Sequence, residues 1–235
     1  VRLGLTIQQD TISQVKEEVE GFSVLGKEKR YVAKSVIIAT GQMPRELGAA
    51  GERELSGRGV SYCATCDGFF FVGRDVLVVG GGDSALVEAL YLSGIANKVY
   101  IAHRRDEFRG SKLYQERVFS KPNIEVLWNT VVDKILGEEA VSGVVLRDTV
   151  SGATRELAVD GVFIYVGNTP ITHMVECEKD ERGYIITDER MQTSVEGMFA
   201  AGDCRRKSLR QICTATSDGA VAATEVGEYL TLNPQ

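Results

Sequence analysis

The chain has 235 residues, of which 43% are hydrophobic and 26% charged, and its formal net charge at pH 7 is −6. This length allows one large or two ordinary domains, and the composition is typical of a soluble globular protein. The negative charge argues against general binding to nucleic acid or a membrane surface, and no window approaches about 18 consecutive apolar residues, which argues against a transmembrane span. The five cysteines lie mostly far apart and are not a secreted disulfide framework, so we expect a reducing, cytoplasmic compartment.

Predicted strands alternate with predicted helices along the chain, which is typical of α/β layers. Residues 1–38 predict a β-meander, and the run "SVIIATG" (35–41) has the apolar, β-branched character of a buried strand. The following run, "GQMPRELGAAGERELSGRG" (41–59), is rich in glycine and charge. We interpret it as a crossover between domains.

The middle of the chain predicts one complete βαβ unit. Its parts are a strand at 76–79, a glycine turn, a helix from Ser84 to about Leu92 and a strand at 99–102. A helix is predicted around 112–119, followed by hairpins over 123–157 and a final buried strand before Gly167.

A third section begins at Asn168 and ends in a predicted helix through "DGAVAATEVGEYL" (218–230). Its apolar run 198–201 ends in Gly-Asp, much as the earlier run 35–41 ends in Gly. The middle section is therefore expected to be inserted between two outer sections of one domain.

The hexapeptide "GGGDSA" (80–85) fits the dinucleotide fingerprint G-x-G-x-x-A. Gly80 would make the tight turn, Gly82 would let pyrophosphate approach the backbone, and Ala85 would pack the helix closely. The fingerprint lies between a predicted strand and a predicted helix, which is the context that it requires. The alternative is a tight turn without a ligand. The residues that we assign to the nucleotide here are Gly80, Gly82, Asp83, Ser84 and Ala85.

The end of the next strand distinguishes between dinucleotides. An NAD site usually has Asp or Glu there, roughly 20 residues after the glycines, to bind the ribose 2′-hydroxyl. This chain has "HRRDEFR" instead, with His103, Arg104 and Arg105, and Arg109 a helical turn further on. Guanidinium groups pair bidentately with a 2′-phosphate and stack on adenine. We therefore predict NADPH rather than NADH, the alternative being a solvated basic turn.

Cys63 and Cys66 form a C-x-x-C pair in "SYCATCDGFF" (61–70). Zinc needs four ligands, and the other cysteines and His173 offer no second pair, so we expect no metal. A structural disulfide closing so short a loop would gain little chain entropy. We interpret the pair as a redox dithiol, because thiolate is the attacking species and this spacing favours it. Asp67 either moves a proton to or from the departing thiolate or is a turn residue. A disulfide does not usually accept hydride from nicotinamide directly, so a flavin relay is expected.

Six motifs in one order and spacing resemble the bacterial low-molecular-weight thioredoxin reductases, which are flavoprotein pyridine nucleotide-disulfide reductases. They are "ATGQMPR" (39–45), "GVSYCATCDGFF" (59–70), "GGGDSA" (80–85), "HRRDEFR" (103–109), "GMFAAGDCR" (197–205) and "RQICTATSDGAVAA" (210–223). The resemblance implies an α/β fold with two Rossmann-like, three-layer ββα dinucleotide-binding domains. It implies an FAD-binding domain at 1–45 and 168–235. An NADPH-binding domain at 46–167, which carries the cysteine pair, would be inserted in that domain.

The resemblance also implies a route for electrons. NADPH reduces FAD, FAD reduces the Cys63–Cys66 disulfide, and the dithiol reduces thioredoxin or a similar redoxin. Cys66 is expected to face the flavin and Cys63 to attack the partner, with rotation between the domains about hinges near 41–51 and 167–170. By this resemblance, the residues toward FAD are Thr40, Gly41, Gly202, Asp203, Arg210 and Gln211.

One departure from the family is the first G-x-G-x-x-G, which this sequence does not contain. Such a βαβ unit takes ~30 residues or more, so we expect a missing upstream segment, an incomplete FAD domain and weak FAD binding, with a homodimer when the protein is full length. The alternatives are a truncated, non-catalytic nucleotide-binding fragment and a reductase of another redoxin or of a peroxiredoxin partner. Cys177, Cys204 and Cys213 are interpreted as buried hydrophobic residues.

Overall fold

The computed structural model describes residues 4–234. The chain forms two compact units, one running up to Met43 and resuming at Asn168, the other comprising Pro44–Gly167. We refer to these as unit 1 and unit 2. The elements in chain order are β1 (Ile12–Glu18), β2 (Gly21–Gly26), β3 (Arg30–Ala33), β4 (Val36–Ile38), β5 (Gln42–Pro44), β6 (Val60–Ser61), α1 (Ala64–Asp67), β7 (Asp75–Val79), α2 (Asp83–Leu92), β8 (Lys98–Ala102), α3 (Lys112–Phe119), β9 (Ile124–Leu127), β10 (Thr130–Gly137), β11 (Val141–Asp148), β12 (Thr154–Leu157), β13 (Gly161–Ile164), β14 (Asn168–Pro170), β15 (Met198–Ala200) and α4 (Ile212–Leu232).

Unit 2 is built on a parallel sheet with the strand order β6-β13-β7-β8-β9. Its central strand β7 shows why the unit has three layers. Val76 and Val78 pack among the residues of α2, such as Leu86, whereas Leu77 and Val79 pack against the antiparallel sheet β10-β11-β12. A strand covered on both faces reads as a continuous apolar run, as "VLVV" does here.

The predicted elements of the βαβ unit are present, with a strand, a glycine turn, a helix and a second parallel strand. The prediction of hairpins over 123–157 is wrong for its first strand. β9 pairs in parallel with β8 instead of turning back on β10. Asn129, with φ of 50°, reverses the chain between β9 and β10, and Asn is one of the few residues that adopt this conformation readily.

In unit 1, the strands β1, β2 and β3 form the predicted antiparallel meander. β4 does not belong to it. β4 pairs in parallel with β15, and the prediction of a buried strand over 35–41 is wrong in part, because Ile38 is buried while Ile37 is 39% exposed. β4 and β15 form a two-stranded ladder.

The long helix α4 packs through Ala222 against Phe199 and Ala201. Of the three further cysteines, Cys204 is buried and Cys177 is half-buried, but Cys213 is exposed, so its interpretation as a buried residue is wrong. No helix within residues 4–234 is both long enough and apolar enough to cross a membrane.

Candidate functional site

Cys63 and Cys66 are joined as a disulfide with their Cα atoms 5.3 Å apart. Cys63 is the residue before α1 and is half-buried, whereas Cys66 lies in the helix and is exposed. The fold thus presents the sulfur pair on a short helical turn that follows the edge strand β6. Within the described residues, no three His, Cys, Asp or Glu side chains lie close enough together to hold a metal ion.

Polar contacts hold this turn on both sides. The Ser61 hydroxyl accepts a 3.1 Å hydrogen bond from the Cys63 amide and lies 2.6 Å from Oδ2 of Asp67, to which it donates. The Ala64 amide donates a 2.6 Å hydrogen bond to the hydroxyl of Tyr165, a residue just beyond β13. Burial raises the pKa of Tyr165, and so does the negative charge of Glu88, so this hydroxyl is neutral.

A cleft of about 370 Å³ opens beside Asp67. Its lining includes Arg58, Phe70 and Arg74 as well as Asp160. Asp67 is half-buried and directly follows Cys66 in the sequence. The hydrogen bond that it accepts from Ser61 orients its carboxylate. Its role in proton transfer stays a prediction.

The glycine turn between β7 and α2 has the backbone that the fingerprint predicts. Gly80 has φ of +149°, and a Cβ there would lie 2.6 Å from the carbonyl oxygen of Tyr165 and 2.8 Å from Cβ of Ala85. Gly82 caps α2, and among the described residues nothing lies within 4 Å of the position of its Cβ. The helix N-terminus therefore faces open space at the point where a phosphate would approach.

Asp83 and Ser84 form the first turn of α2, and both are exposed. Oδ1 of Asp83 accepts a 2.7 Å hydrogen bond from the Ser111 amide. The Gly81 carbonyl accepts hydrogen bonds of 2.8 and 3.1 Å from the amides of Arg109 and Gly110. The glycine turn and the segment after β8 are thus tied together by their backbones.

The structure separates His103 from the three arginines. Arg104, Arg105 and Arg109 are exposed, but His103 is only 5% exposed and its ring lies 5.5 Å from that of Phe108. Burial lowers the pKa of His103, and the positive charges of the arginines lower it further, so the ring is neutral. The basic cluster available to a 2′-phosphate therefore consists of the arginines.

Sequence reasoning missed Gly81. A Cβ at this position would lie 2.3 Å from ring atoms of His103, so the buried imidazole occupies the space that a side chain would need. The signal was in the sequence, because the fingerprint leaves its second position free and this chain has glycine there as well.

In unit 1, Thr40 and Gly41 follow β4. The Thr40 hydroxyl donates a hydrogen bond to the Ile171 carbonyl. Gly41 has φ of +70°, and no described atom lies within 4 Å of where its Cβ would be. The end of β4 therefore offers exposed backbone that another group could approach.

The turn after β15 and the segment before α4 carry two buried polar atoms that lack hydrogen-bond partners within the described residues. Oδ1 of Asp203 and Nε of Arg210 are buried, and neither has a hydrogen-bond partner among residues 4–234. The Arg210 guanidinium lies 4.1 Å from the centroid of the Tyr184 ring. Gln211 is the N-cap of α4 and forms a capping box with Thr214.

Sequence reasoning also missed the support beneath this turn. Asp218, on α4, is 6% exposed and accepts hydrogen bonds from Arg205 (2.9 Å), Lys207 (2.6 Å) and the Gly202 amide (3.0 Å). Burial by itself would raise the pKa of Asp218, but these donors outweigh it and lower the pKa to about 2. The Asp218 cluster fixes the Gly202–Asp203 backbone to α4.

The sequence profile of the pyridine nucleotide-disulphide oxidoreductases matches residues 3–219. The chain belongs to that family. It is 48% identical over 231 residues to thioredoxin reductase of Treponema pallidum (strain Nichols), covering 98% of this chain and 75% of that protein. It is 50% identical over 222 residues to thioredoxin reductase of Listeria monocytogenes, covering 92% and 70%.

A crystal structure of thioredoxin reductase from Streptococcus pyogenes MGAS5005 superposes with a TM-score of 0.88 at 46% identity, covering 94% of this chain and 74% of that one. Within the pyridine nucleotide-disulphide oxidoreductases, the chain is therefore a member of the thioredoxin reductases. The predicted family, the α/β fold with Rossmann-like domains and the class of flavoenzyme are confirmed. FAD and NADPH are the cofactors of this family.

The residues present fit both cofactors. The open Cβ position of Gly82 at a helix N-terminus suits the pyrophosphate of a dinucleotide. The exposed arginines after β8 suit a phosphate on its ribose. The buried, partnerless Oδ1 of Asp203 and Nε of Arg210 are groups that native structures normally pair, and a polar cofactor would pair them.

Proposed function

We propose that this chain uses NADPH, with FAD as the carrier, to reduce the disulfide of thioredoxin through Cys63 and Cys66. The single observation that carries the proposal is a surface disulfide whose helical turn, α1, packs on α2, the helix that begins at the dinucleotide fingerprint. When bound, FAD supplies the relay between a two-electron hydride donor and a disulfide.

Each unit has one cofactor in this proposal. Unit 2 would hold NADPH, with its pyrophosphate at the N-terminus of α2 near Gly82 and its 2′-phosphate toward Arg104 and Arg105. Unit 1 would hold FAD, with Asp203 and Arg210 as polar contacts. The support is the open glycine turn in unit 2 and, in unit 1, two buried polar atoms that have no hydrogen-bond partner among residues 4–234.

We assign separate tasks to the two cysteines. Cys63 attacks the disulfide of the partner and forms a mixed disulfide with it. Cys66 then attacks the Cys63 sulfur, and the reduced partner leaves as a thiolate. Asp67, oriented by Ser61, donates or accepts the proton of a sulfur in this exchange. The sum is a partner disulfide converted to a dithiol while the Cys63–Cys66 dithiol returns to a disulfide.

A protein substrate is supported by the surface next to the sulfurs. Phe69 and Phe70, three and four residues after Cys66, are 78% and 77% exposed. Large exposed apolar side chains beside a reactive group are typical of a protein-docking surface. Thioredoxin is the partner that the relatives' names support. We also propose a cytoplasmic location, because a dithiol cycle needs a reducing compartment, and a homodimer stays a prediction.

The test is NADPH oxidation by the chain with added FAD, with and without thioredoxin. We expect oxidation that depends on thioredoxin and is abolished in Cys66→Ser but retained in the matched control Cys177→Ser. Oxidation with a different redoxin only would contradict the partner. NADPH binding without any turnover would favour the non-catalytic nucleotide-binding fragment.

A further inference from the structure

His103 is the buried member of the basic run after β8, and the proposed function leaves its imidazole without a role. The residue is 5% exposed, and its Nε2 atom is buried with no hydrogen-bond partner among residues 4–234. Native structures normally pair such an atom with protein, water or a ligand. Histidine is also the side chain whose protonation changes most readily near neutral pH. A charged ligand that binds beside this ring would therefore act on its protonation.

The ring lies against the glycine turn. A Cβ at Gly81 would lie 2.3 Å from the Cε1 and Nδ1 atoms of His103 and 2.7 Å from Nε2. Gly82, the next residue, is the N-cap of α2. Because Gly82 follows directly in the chain, its amide nitrogen lies within about 7 Å of the ring. The imidazole is thus next to the place where the proposed function puts the pyrophosphate.

Neighbouring rings and backbone hydrogen bonds fix the imidazole in this place. Its centroid lies 5.5 Å from that of the Phe108 ring and 6.2 Å from that of the Trp128 ring. The His103 amide donates a 3.0 Å hydrogen bond to the Leu127 carbonyl, and the His103 carbonyl accepts one of 2.9 Å from the Thr130 amide. Because close-packed side chains move little, the ring stays beside the glycine turn in either protonation state.

The charges around the ring favour its neutral form in the free chain. The ionisable side chains on the stretches that pack against it are all exposed, namely Asp83 on α2 and Arg104, Arg105, Asp106, Glu107 and Arg109 after β8. The third stretch, 128–130, has no ionisable side chain. Burial lowers the pKa of His103, and the positive charges of the three arginines lower it further. The positive end of the α2 dipole acts in the same direction.

We propose that His103 is a positioning residue for the dinucleotide: its imidazole supports the glycine turn at Gly81 and takes up a proton from solvent when phosphates bind at that turn. The proposal rests on the proposed function in placing a dinucleotide at the N-terminus of α2. The phosphates of NADPH bring several negative charges to this site. At an effective dielectric constant of about 20, one unit charge about 10 Å away changes a proton equilibrium by about tenfold.

Nucleotide affinity should therefore rise as the pH falls. The imidazolium is favoured in the complex and disfavoured in the free chain, so the pKa of His103 is higher in the complex. Affinity rises as the pH falls through the interval between the two pKa values and is constant on either side of it. Because linkage is reciprocal, nucleotide affinity gains the same factor as proton affinity.

The direct test is nuclear magnetic resonance of the chain labelled with ¹³C in its histidine rings, followed through a pH titration. The chain has two histidines, and the other, His173, is exposed, so His173→Gln assigns both signals without changing the site. The full chain is titrated alone and with saturating NADP⁺, which carries the same phosphates as NADPH and is stable in acid. We expect the His103 midpoint to rise by about one pH unit or more with NADP⁺ and the His173 midpoint to stay. A His103 midpoint that is unchanged or lowered while NADP⁺ is bound would overturn the inference.

The second measurement is the affinity for NADP⁺ across the same pH range. His103→Phe keeps a ring against Gly81 but cannot take up a proton, and His173→Gln is the matched control. As the pH falls, we expect affinity to rise by up to about tenfold more in the native chain and in His173→Gln than in His103→Phe. Parallel profiles for the native chain and His103→Phe would overturn the proton linkage, whereas a uniform loss of affinity from altered packing leaves the slope unchanged.

Failure of this inference and failure of the proposed function give different results. NADP⁺ that binds without moving the His103 midpoint contradicts only the role of His103. NADP⁺ that binds at no pH contradicts the proposed nucleotide site, and this inference with it.

Discussion

The amide of Ala64 and the hydroxyl of Tyr165 are joined by a 2.6 Å hydrogen bond across 101 residues of sequence. Tyr165 follows β13, a strand that is buried along its whole length. The same amide belongs to the turn between the cysteines. The sheet therefore fixes the backbone of the reactive turn directly.

Tyr165→Phe should destabilise unit 2. The variant keeps the half-buried ring but leaves the buried Ala64 amide without its acceptor, and an unsatisfied buried donor costs about 1–3 kcal/mol. The measurement is the free energy of unfolding in urea, with Tyr91→Phe, whose side chain is 41% exposed, as the control. Equal stability of the two variants would contradict the importance of this hydrogen bond.

Gly81→Ala and Gly82→Ala should behave in opposite ways. At Gly81 a Cβ meets the buried His103 ring at 2.3 Å, so we expect a loss of about 1–3 kcal/mol in unfolding free energy. At Gly82 the Cβ points into open space, so stability should change little while NADPH affinity falls. Urea unfolding and NADPH titration of both variants check this. An NADPH affinity unchanged in Gly82→Ala would argue against nucleotide binding at this turn.

Replacing Arg104 and Arg105 by alanine should weaken NADPH binding by about tenfold or more and change NADH binding far less. The reason is that both side chains are exposed shortly after β8, where NADPH offers a 2′-phosphate on the adenosine ribose and NADH offers a hydroxyl. Calorimetric titration with both nucleotides gives the two affinities, and Arg117→Ala on α3 controls for loss of surface charge. If both nucleotides weakened equally, the preference for NADPH would be unsupported.

Asp218 should make the stability of unit 1 depend on pH at the acidic end. Its pKa in the folded chain is lowered to about 2 from 3.8, so its stabilisation is complete above 3.8 and is lost as the pH falls toward 2. A shift of this size is worth about 2 kcal/mol. In urea unfolding, the gap between the native chain and Asp218→Asn should therefore shrink over this range.

The exposed Glu189→Gln variant is the matched control for Asp218 and should track the native chain throughout. A constant difference between native and Asp218→Asn at all pH values would mean that the cluster with Arg205 and Lys207 does not depend on the ionised carboxylate.

The local elements of the fold could be predicted from the sequence. The strand, glycine turn and helix over 75–92 were predictable because an apolar run, a fingerprint and helical periodicity coincide there. The helix α3 and the meander β1-β2-β3 were predictable for the same kind of reason. The disulfide partners lie so close in the chain that their spacing alone indicates the pair.

What escaped prediction depends on non-local pairing. The four residues of β9 have the pattern of any short strand, and only the sheet decides that they pair with β8. His103 reads as part of a basic run, yet Phe108 and Trp128 bury it. Asp218 reads as a polar helix residue, and its role arises from Arg205, Lys207 and the Gly202 amide, which the fold brings to it. Such burial is a property of packing and cannot be read from spacing.

The central claim is that Cys63 and Cys66 receive electrons from NADPH through FAD. The most direct measurement is the redox state of this pair by alkylation and mass spectrometry after anaerobic incubation of the full chain with NADPH alone, with FAD alone and with both. We expect two free thiols at Cys63 and Cys66 only when NADPH and FAD are both present. A disulfide that stays intact with both cofactors, or one that NADPH alone reduces equally well, would contradict the account.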